Sequence, residues 1–391
     1  MILSSTATKI PGKRQKKLLL IDVRKAHLHA EAVREVFVQL PPELSKKYPG
    51  MCWRLKRCLY GTRDAPARWE RLYTEKLVKM GFIAGNASAC CFYHPTRDIR
   101  CVVHGDDFTF SGFDDDLTWT QRQMEQNFMC KIEGRLGPHQ TDLKQARVLN
   151  RIITWTTNGI EYEADPRHAE ILMRDLEIFA KDSVVTPGVK RRAEDIESNQ
   201  PLPDEQHTQY RCLAARANYL SLDRPDICFA AKECCRRMSI PGTLDMQAVK
   251  RLARYLRSQP RVVYQYPWQE CNELVVFVDT DFAGCLETRR STSGGGAMLG
   301  AHLIKHWAST QNTLALSSGE AELMGILKGT SEGFGLLSLA SDLGLALTLS
   351  IKTDSSAAVG ICKRTGIGRV RHLAVGQLWI QDRLRNGAFK L

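Results

Sequence analysis

Residues 99–112 read IRCVVHGDDFTFSG. Two short apolar runs flank a Gly-Asp pair, the pattern of a β-hairpin. Such a hairpin fixes two antiparallel strands and sets Asp106 and Asp107 side by side at its tip, half exposed. Adjacent carboxylates repel, and burying either one unpaired is costly. Two readings fit. Gly105-Asp106 is simply a good turn, or the acids hold a divalent cation. Ligands that are all oxygen favour Mg²⁺ or Mn²⁺ over zinc.

The rest of the chain narrows the setting. Its 391 residues suggest two or three domains at about 150 residues each. The net charge of +12 favours a polyanionic partner, nucleic acid or an acidic surface. The first residues, MILSSTATKIPGKRQKKLLL, break their apolar stretch with Pro11 and a basic run, unlike a secretory signal. No stretch is long and apolar enough for a membrane span. The 13 cysteines are scattered with no Cys-x-x-Cys, which argues against a zinc finger or a disulfide scaffold. A reducing, intracellular location follows as the expectation, cytoplasmic or nuclear and not secreted. His302 and His306 are four apart but lie in AHLIKHWAS, which reads as a strand rather than a metal site.

Residues 180–209, rich in Pro, Asp, Glu, Gln and Ser, have no apolar period and read as a linker or long loop. A weaker break falls near residues 258–272. Before the linker, KLLLIDV is a strand ending near Asp22, and DAPARWERLYTEKLVKMGF is a helix with Asp64 as its cap. After it, Val249, Leu252, Ala253 and Leu256 form one helical face. Lys250, Arg254 and Arg257 line another, either an ordinary solvated face or one that tracks a phosphate backbone. The last stretch reads strand, hairpin, helix, strand, helix, with acids at strand ends and helix starts. That is a mixed α/β, nuclease-like layout.

Several ordered motifs then carry a resemblance. IDVRKAHLH, CWRLKRCLYGTRDAPARWERL and VVHGDDF, in that order, resemble the reverse transcriptase of copia-type retrotransposon Pol polyproteins. YRCLAARANYLSLDRPDICFAAKECCRRMSIPGTLDMQAVKRLARYL resembles the segment between polymerase and nuclease. VDTDFAGCLETRRSTSGG, TLALSSGEAELMGI and KTDSSAAVGI resemble the family's RNase H domain. The resemblance runs from about residue 18 to 391.

It implies an α+β and α/β multidomain chain: a reverse transcriptase palm and thumb, then an RNase H-like mixed sheet with flanking helices. The boundaries expected are a basic segment 1–17, a palm 18–180, a linker 181–207, a helical thumb or connection 208–271 and an RNase H-like domain 272–391. The implied activities are RNA-directed DNA synthesis and cleavage of RNA in an RNA–DNA hybrid. The implied partners are an RNA template, a DNA primer, the hybrid and other Pol or Gag parts, with Mg²⁺ or Mn²⁺ as cofactor and no membrane. A non-catalytic nucleic-acid-binding remnant is the alternative. By position, Asp22, Asp106 and Asp107 resemble the polymerase metal ligands, and Asp279, Glu322 and Asp354 those of the nuclease.

Physical chemistry supports Glu322 over Glu320. Ser317-x-x-Glu320 is a capping box, which occupies Glu320 at a helix start. Two residues along a helix is about 200° of rotation, so both acids cannot face one ion. Asp354 can cap the following helix, bind metal, or do both. Asp281 shares a strand face with Asp279 and is the alternate at a register shifted by two. RRSTSGGG, residues 289–296, resembles the turn after the first nuclease strand; a phosphate-binding glycine loop is the rival reading, disfavoured because no Lys-Ser/Thr follows it.

Departures from the family's pattern point to partial decay. His104-Gly105 replaces an aromatic-Val/Met pair, and Gly105 is expected to loosen the hairpin. His27 stands where an aromatic packs on the nucleotide sugar, and Asp64 where the family has Gln. A fingers region is expected to be largely missing. In His372-Leu373-Ala374, Ala374 replaces a fourth carboxylate. A weak polymerase and a residual nuclease are the expectation, with hybrid binding through Lys250, Arg254, Arg257 and the Lys13–Lys17 cluster.

Overall fold

The computed structural model describes every residue except 10, 11, 13, 180–182, 367 and 369–374. Lys13, His372-Leu373 and Ala374 therefore lie outside the described residues. The chain forms two compact units, residues 1–144 with 338–346, and residues 145–337 with 347–391.

The first unit holds strands β1 (Lys17–Val23), β2 (Phe37–Gln39), β3 (Cys52–Arg54), β4 (Ile83–Ala84), β5 (Cys91–His94), β6 (Ile99–His104), β7 (Asp107–Gly112) and β8 (Cys130–Leu136). Six of them make one sheet in the order β4-β5-β6-β7-β1-β8, and β2 pairs with β3 separately. Strand β1 lies inside the sheet, antiparallel to β7 and β8 on its two sides. Its leucines run without alternation because both faces are covered: Leu18, Leu19, Leu20 and Ile21 are all buried.

The helix Ala65–Lys79 buries Ala65, Trp69, Tyr73 and Leu77, spaced four apart as one face requires. Trp69 meets Tyr73, Phe108 and Phe128 edge-on. Truncating such a ring to alanine costs about 3–5 kcal/mol. Asp64 precedes this helix but makes no side-chain cap bond. Its carboxylate instead takes Arg34 Nη2 at 3.2 Å.

The basic segment before β1 is partly structural. Lys16 Nζ lies 2.7 Å from Asp98, and Lys17 Nζ reaches Asp114 at 3.1 Å and Asp142 at 2.9 Å. Both lysines are buried. A buried ammonium needs such partners, so these two charges are already neutralised within the unit.

In the second unit, β9 (Gln145–Val148), β10 (Arg151–Trp155), β11 (Gly159–Glu163) and β12 (Val263–Pro267) form one sheet, ordered β12-β11-β10-β9. Strand β11 thus pairs with a strand about a hundred residues later, Glu163 opposite Val263. Residues 145–163, expected with the palm, are built into this sheet. The helices Asp204–Ser221, Cys228–Cys235 and Thr243–Ser258 share a core with Val249, Leu252, Ala253 and Leu256, each 0% exposed. Lys250 and Arg257 are exposed on the opposite side of the last helix, with Arg254 half-buried between them. The segment expected as a linker is tethered. Arg191 and Asn199 reach the buried Asp245 carboxylate at 2.6 and 3.2 Å, and Leu202 is buried.

Strands β13 (Glu273–Thr280), β14 (Thr292–Leu299), β15 (His302–Thr310) and β16 (Thr348–Lys352) make a mixed sheet, ordered β15-β14-β13-β16. The first three form an antiparallel meander, and β16 joins β13 in parallel after the long helix Ser318–Asp342. Residues 292–296, expected in a turn, are strand. Gly295 is forced by packing, because a Cβ there would sit 2.1 Å from Trp307 Cζ2. His302 and His306 are held by backbone oxygens, Pro267 O and Ser221 O, each at 2.8 Å. The expected last helix is described as a short turn at 375–378 and the helix Trp379–Arg385. The 13 cysteines are free thiols. Among the described residues no helix is long and apolar enough to cross a membrane.

Candidate metal centre

Two groups of acids emerge, one in each unit. In the first, Asp22 on β1 stands opposite Asp107 on β7, and His104 pairs with Asp107 to close the hairpin. Gly105 has φ +65°, at the position where a II′ turn requires glycine. The tip is held rather than loose. Trp69 Nε1 donates to Gly105 O at 2.8 Å, and Val23 N donates to Asp106 O at 2.9 Å. Burial raises the Asp22 carboxyl above its ordinary value, and Asp106 and Glu133 add to this. Burial, then Asp106 and Asp22, do the same for Asp107. His27 stacks on Tyr60, ring centres 4.4 Å apart.

The second group is tighter. Asp279 stands near the end of β13, Glu322 near the start of the Ser318–Asp342 helix, and Asp354 just after β16. One carboxylate oxygen from each lies within 4.8 Å of the others. Among the described residues this is the one such group of three, so Asp22, Asp106 and Asp107 converge less closely. Burial raises the Glu322 carboxyl, and Asp279 and Asp354 push it the same way against hydrogen bonding from Thr280.

The local structure explains the convergence. Thr280 N donates to Asp279 Oδ1 at 2.9 Å and to Glu322 Oε1 at 3.3 Å. The helix approaches β13 and β16 over Gly325, Gly329 and Gly333, spaced four apart. Cβ atoms there would lie 2.5 Å from Thr280 Cγ2, 2.3 Å from Val278 Cγ1 and 2.7 Å from Leu349 Cδ1. Glu320 is occupied as expected: its Oε2 accepts Leu316 N at 2.8 Å, and its own N–H meets Ser317 Oγ at 3.3 Å. Asp281 is outside the group, because its Oδ1 accepts Thr292 N at 2.6 Å and closes the loop between β13 and β14. Asp354 is not the helix cap. Ser355 is, accepting Ala358 N at 3.2 Å, which leaves Asp354 to the acidic group.

Thr280 and the three glycines were not singled out from sequence, although LMGILKGTSEG shows the four-residue spacing.

Residues 7–139 match the family model described as reverse transcriptase (RNA-dependent DNA polymerase). Over 388 residues the chain is 26% identical to the retrovirus-related Pol polyprotein from transposon RE1 of Arabidopsis thaliana, covering 95% of this chain and 25% of that protein. The Pol polyprotein from transposon RE2 of the same plant is 27% identical over 388 residues, with the same coverage. That from transposon TNT 1-94 of Nicotiana tabacum is 22% identical over 386 residues, 95% of this chain and 28% of that protein. The chain belongs to the copia-type retrotransposon Pol family. It spans about a quarter of the length of these Pol relatives. Within this Pol segment, the reverse transcriptase match covers Asp22, Asp106 and Asp107, and the tighter acidic group lies beyond it.

Proposed function

We propose that this Pol segment cleaves the RNA strand of an RNA–DNA hybrid at Asp279, Glu322 and Asp354, with Mg²⁺ or Mn²⁺ as cofactor. The observation that carries this reading is the group of three carboxylates within 4.8 Å. A metal ion fits the residues present. Glu322 Oε2 is buried with no hydrogen-bond partner, an expensive state that a cation would relieve. Three like charges at this spacing also repel, and an all-oxygen donor set suits a hard cation. Bound Mg²⁺ would activate water and offset charge on the phosphate under attack. Thr280 N–H orients Glu322, and the Ser355 cap leaves Asp354 available. The meander β13–β15 with β16 added in parallel supports an RNase H-like reading of this part of the second unit.

The first unit is then a reverse transcriptase palm, with Asp22, Asp106 and Asp107 as its metal ligands and template and primer as its substrates. The helix that carries Lys250, Arg254 and Arg257, with the helices packed against it, reads as a thumb or connection that follows the hybrid. Primer extension at this first site is the second activity that the reading implies. The setting is intracellular, alongside other Pol or Gag parts. The deciding experiment incubates a hybrid labelled on its RNA strand with the chain in Mg²⁺ and in EDTA. Cleavage in Mg²⁺ alone supports the reading. Binding without cleavage in either condition would leave a nucleic-acid-binding remnant and reject the nuclease.

A further inference from the structure

Asp279 shares a sheet face with residues that the metal centre does not use. On that face Phe277 stands two residues earlier on β13, about 7 Å along the strand. Its β16 neighbour is Lys352 and its β14 neighbour is Gly296. Beside Asp279 on β14 is Gly294. Phe277 is 52% exposed, and Lys352 is exposed as well. Among the described residues no acid pairs with Lys352.

The two glycines are informative because packing does not demand them. A Cβ on Gly294 would meet nothing nearer than Asp279 O at 3.8 Å, and one on Gly296 nothing nearer than Leu303 Cδ1 at 3.7 Å. Gly295 between them has no such room. Glycine inside a strand weakens it, and where packing leaves room it marks a place that something approaches closely. A bare backbone floor, an exposed aromatic ring and an unpaired ammonium therefore lie side by side, contiguous with the acidic centre.

We infer that this face is a nucleic-acid platform that seats one strand of the hybrid beside the metal centre. Lys352 pairs with a backbone phosphate, Phe277 packs its ring on a base or sugar, and Gly294 and Gly296 let the strand come down onto the sheet. The inference rests on the proposed nuclease reading for the identity of its ligand. Charge complementarity favours nucleic acid over an apolar partner, because a cation sits next to the ring and the chain carries net charge +12.

The test measures binding of a fluorescent RNA–DNA hybrid in EDTA, so that the metal centre takes no part, over a range of salt. Lys352→Gln should weaken binding and lower the slope of log affinity against log salt by about 1, while Lys352→Arg retains both. Phe277→Ala should weaken binding roughly tenfold with little change in slope, and Phe277→Tyr should restore it. Gly296→Val is the sharpest variant. It should leave the unfolding midpoint unchanged or raised, since the site has room and valine suits a strand, yet weaken binding at least about tenfold. The inference is overturned if the parent does not bind at low salt, or if Gly296→Val and Lys352→Gln bind as the parent does. Cleavage in Mg²⁺ is scored separately. Lost binding in the variants without any cleavage by the parent would reject the nuclease and keep the platform. Cleavage with unaltered variant binding would do the reverse.

Discussion

Glu322 Oε1 accepts the backbone N–H of Thr280 at 3.3 Å, which ties the start of a long helix to the residue after Asp279. That tie needs the helix close to β13, and the glycines permit it. A Cβ at Gly329 would lie 2.3 Å from Val278 Cγ1, a stiff, buried side chain. Overpacking of this kind costs about 1–3 kcal/mol, against about 1 kcal/mol gained from alanine's helix propensity. Gly329→Ala should therefore lower the unfolding midpoint. A raised midpoint in calorimetry would contradict the close approach.

Three carboxylates within 4.8 Å destabilise the metal-free fold. Neutralising one relieves that repulsion. Asp354→Asn should unfold at a higher temperature than the parent in EDTA. Added Mg²⁺ should stabilise the parent by mass action and the variant far less. Thermal unfolding in both conditions checks this, and equal Mg²⁺ shifts in the two proteins would count against a site at Asp354.

The hairpin that carries Asp106 and Asp107 is braced by the Ala65–Lys79 helix. Trp69→Phe keeps most of the ring but removes the 2.8 Å bond to Gly105 O. The loss should be about 0.5–1.5 kcal/mol. It should appear locally as faster hydrogen exchange at Val23, whose amide donates to Asp106 O. Unchanged protection at Val23 would mean that Trp69 does not hold the tip.

Cys285 offers a pH test away from the acids. Burial alone would raise its thiol, but hydrogen bonds from Thr288 and from Arg236, 2.9 Å away, outweigh burial and bring it down to about 7. The thiolate is the reactive form, so alkylation should rise with pH through a midpoint near that value. At neutral pH, Cys285 should react faster than the exposed Cys52, Cys90 and Cys212. Arg236→Ala should shift the midpoint up and slow the reaction. Mass-spectrometric labelling rates that match those of the exposed thiols would refute the assignment.

Local periodicity made much of the fold legible before any coordinates. Strand β1, the Ile99–Gly112 hairpin and the buried stripe of the Thr243–Ser258 helix are written in spacings of two and of three to four residues. The capping box at Ser317 and Glu320 was equally local, and it pointed to Glu322. What sequence did not reveal depends on distant partners. Lys16 and Lys17 look like a free basic cluster until Asp98, Asp114 and Asp142 are folded against them. The pairing of β11 with β12 joins segments about a hundred residues apart, with several helices between them. Gly294–Gly296 reads as a turn because a run of glycines is a turn signal, and the strand packing of Gly295 against Trp307 is set by a distant partner. One position also separated Ser355 from Asp354 as the cap, finer than a spacing argument resolves.

The central claim is that Asp279, Glu322 and Asp354 form a metal-dependent nuclease centre. Its most direct test is the rate of RNA cleavage in an RNA–DNA hybrid by the parent and by Asp279→Asn, across a Mg²⁺ titration. Matched unfolding midpoints would confirm that both are folded. The substitution keeps the side chain's shape and removes one charged ligand. The account predicts cleavage by the parent that requires Mg²⁺, and none by the variant. Cleavage by Asp279→Asn at the parent's rate, or none by the folded parent at any Mg²⁺ concentration, would contradict it.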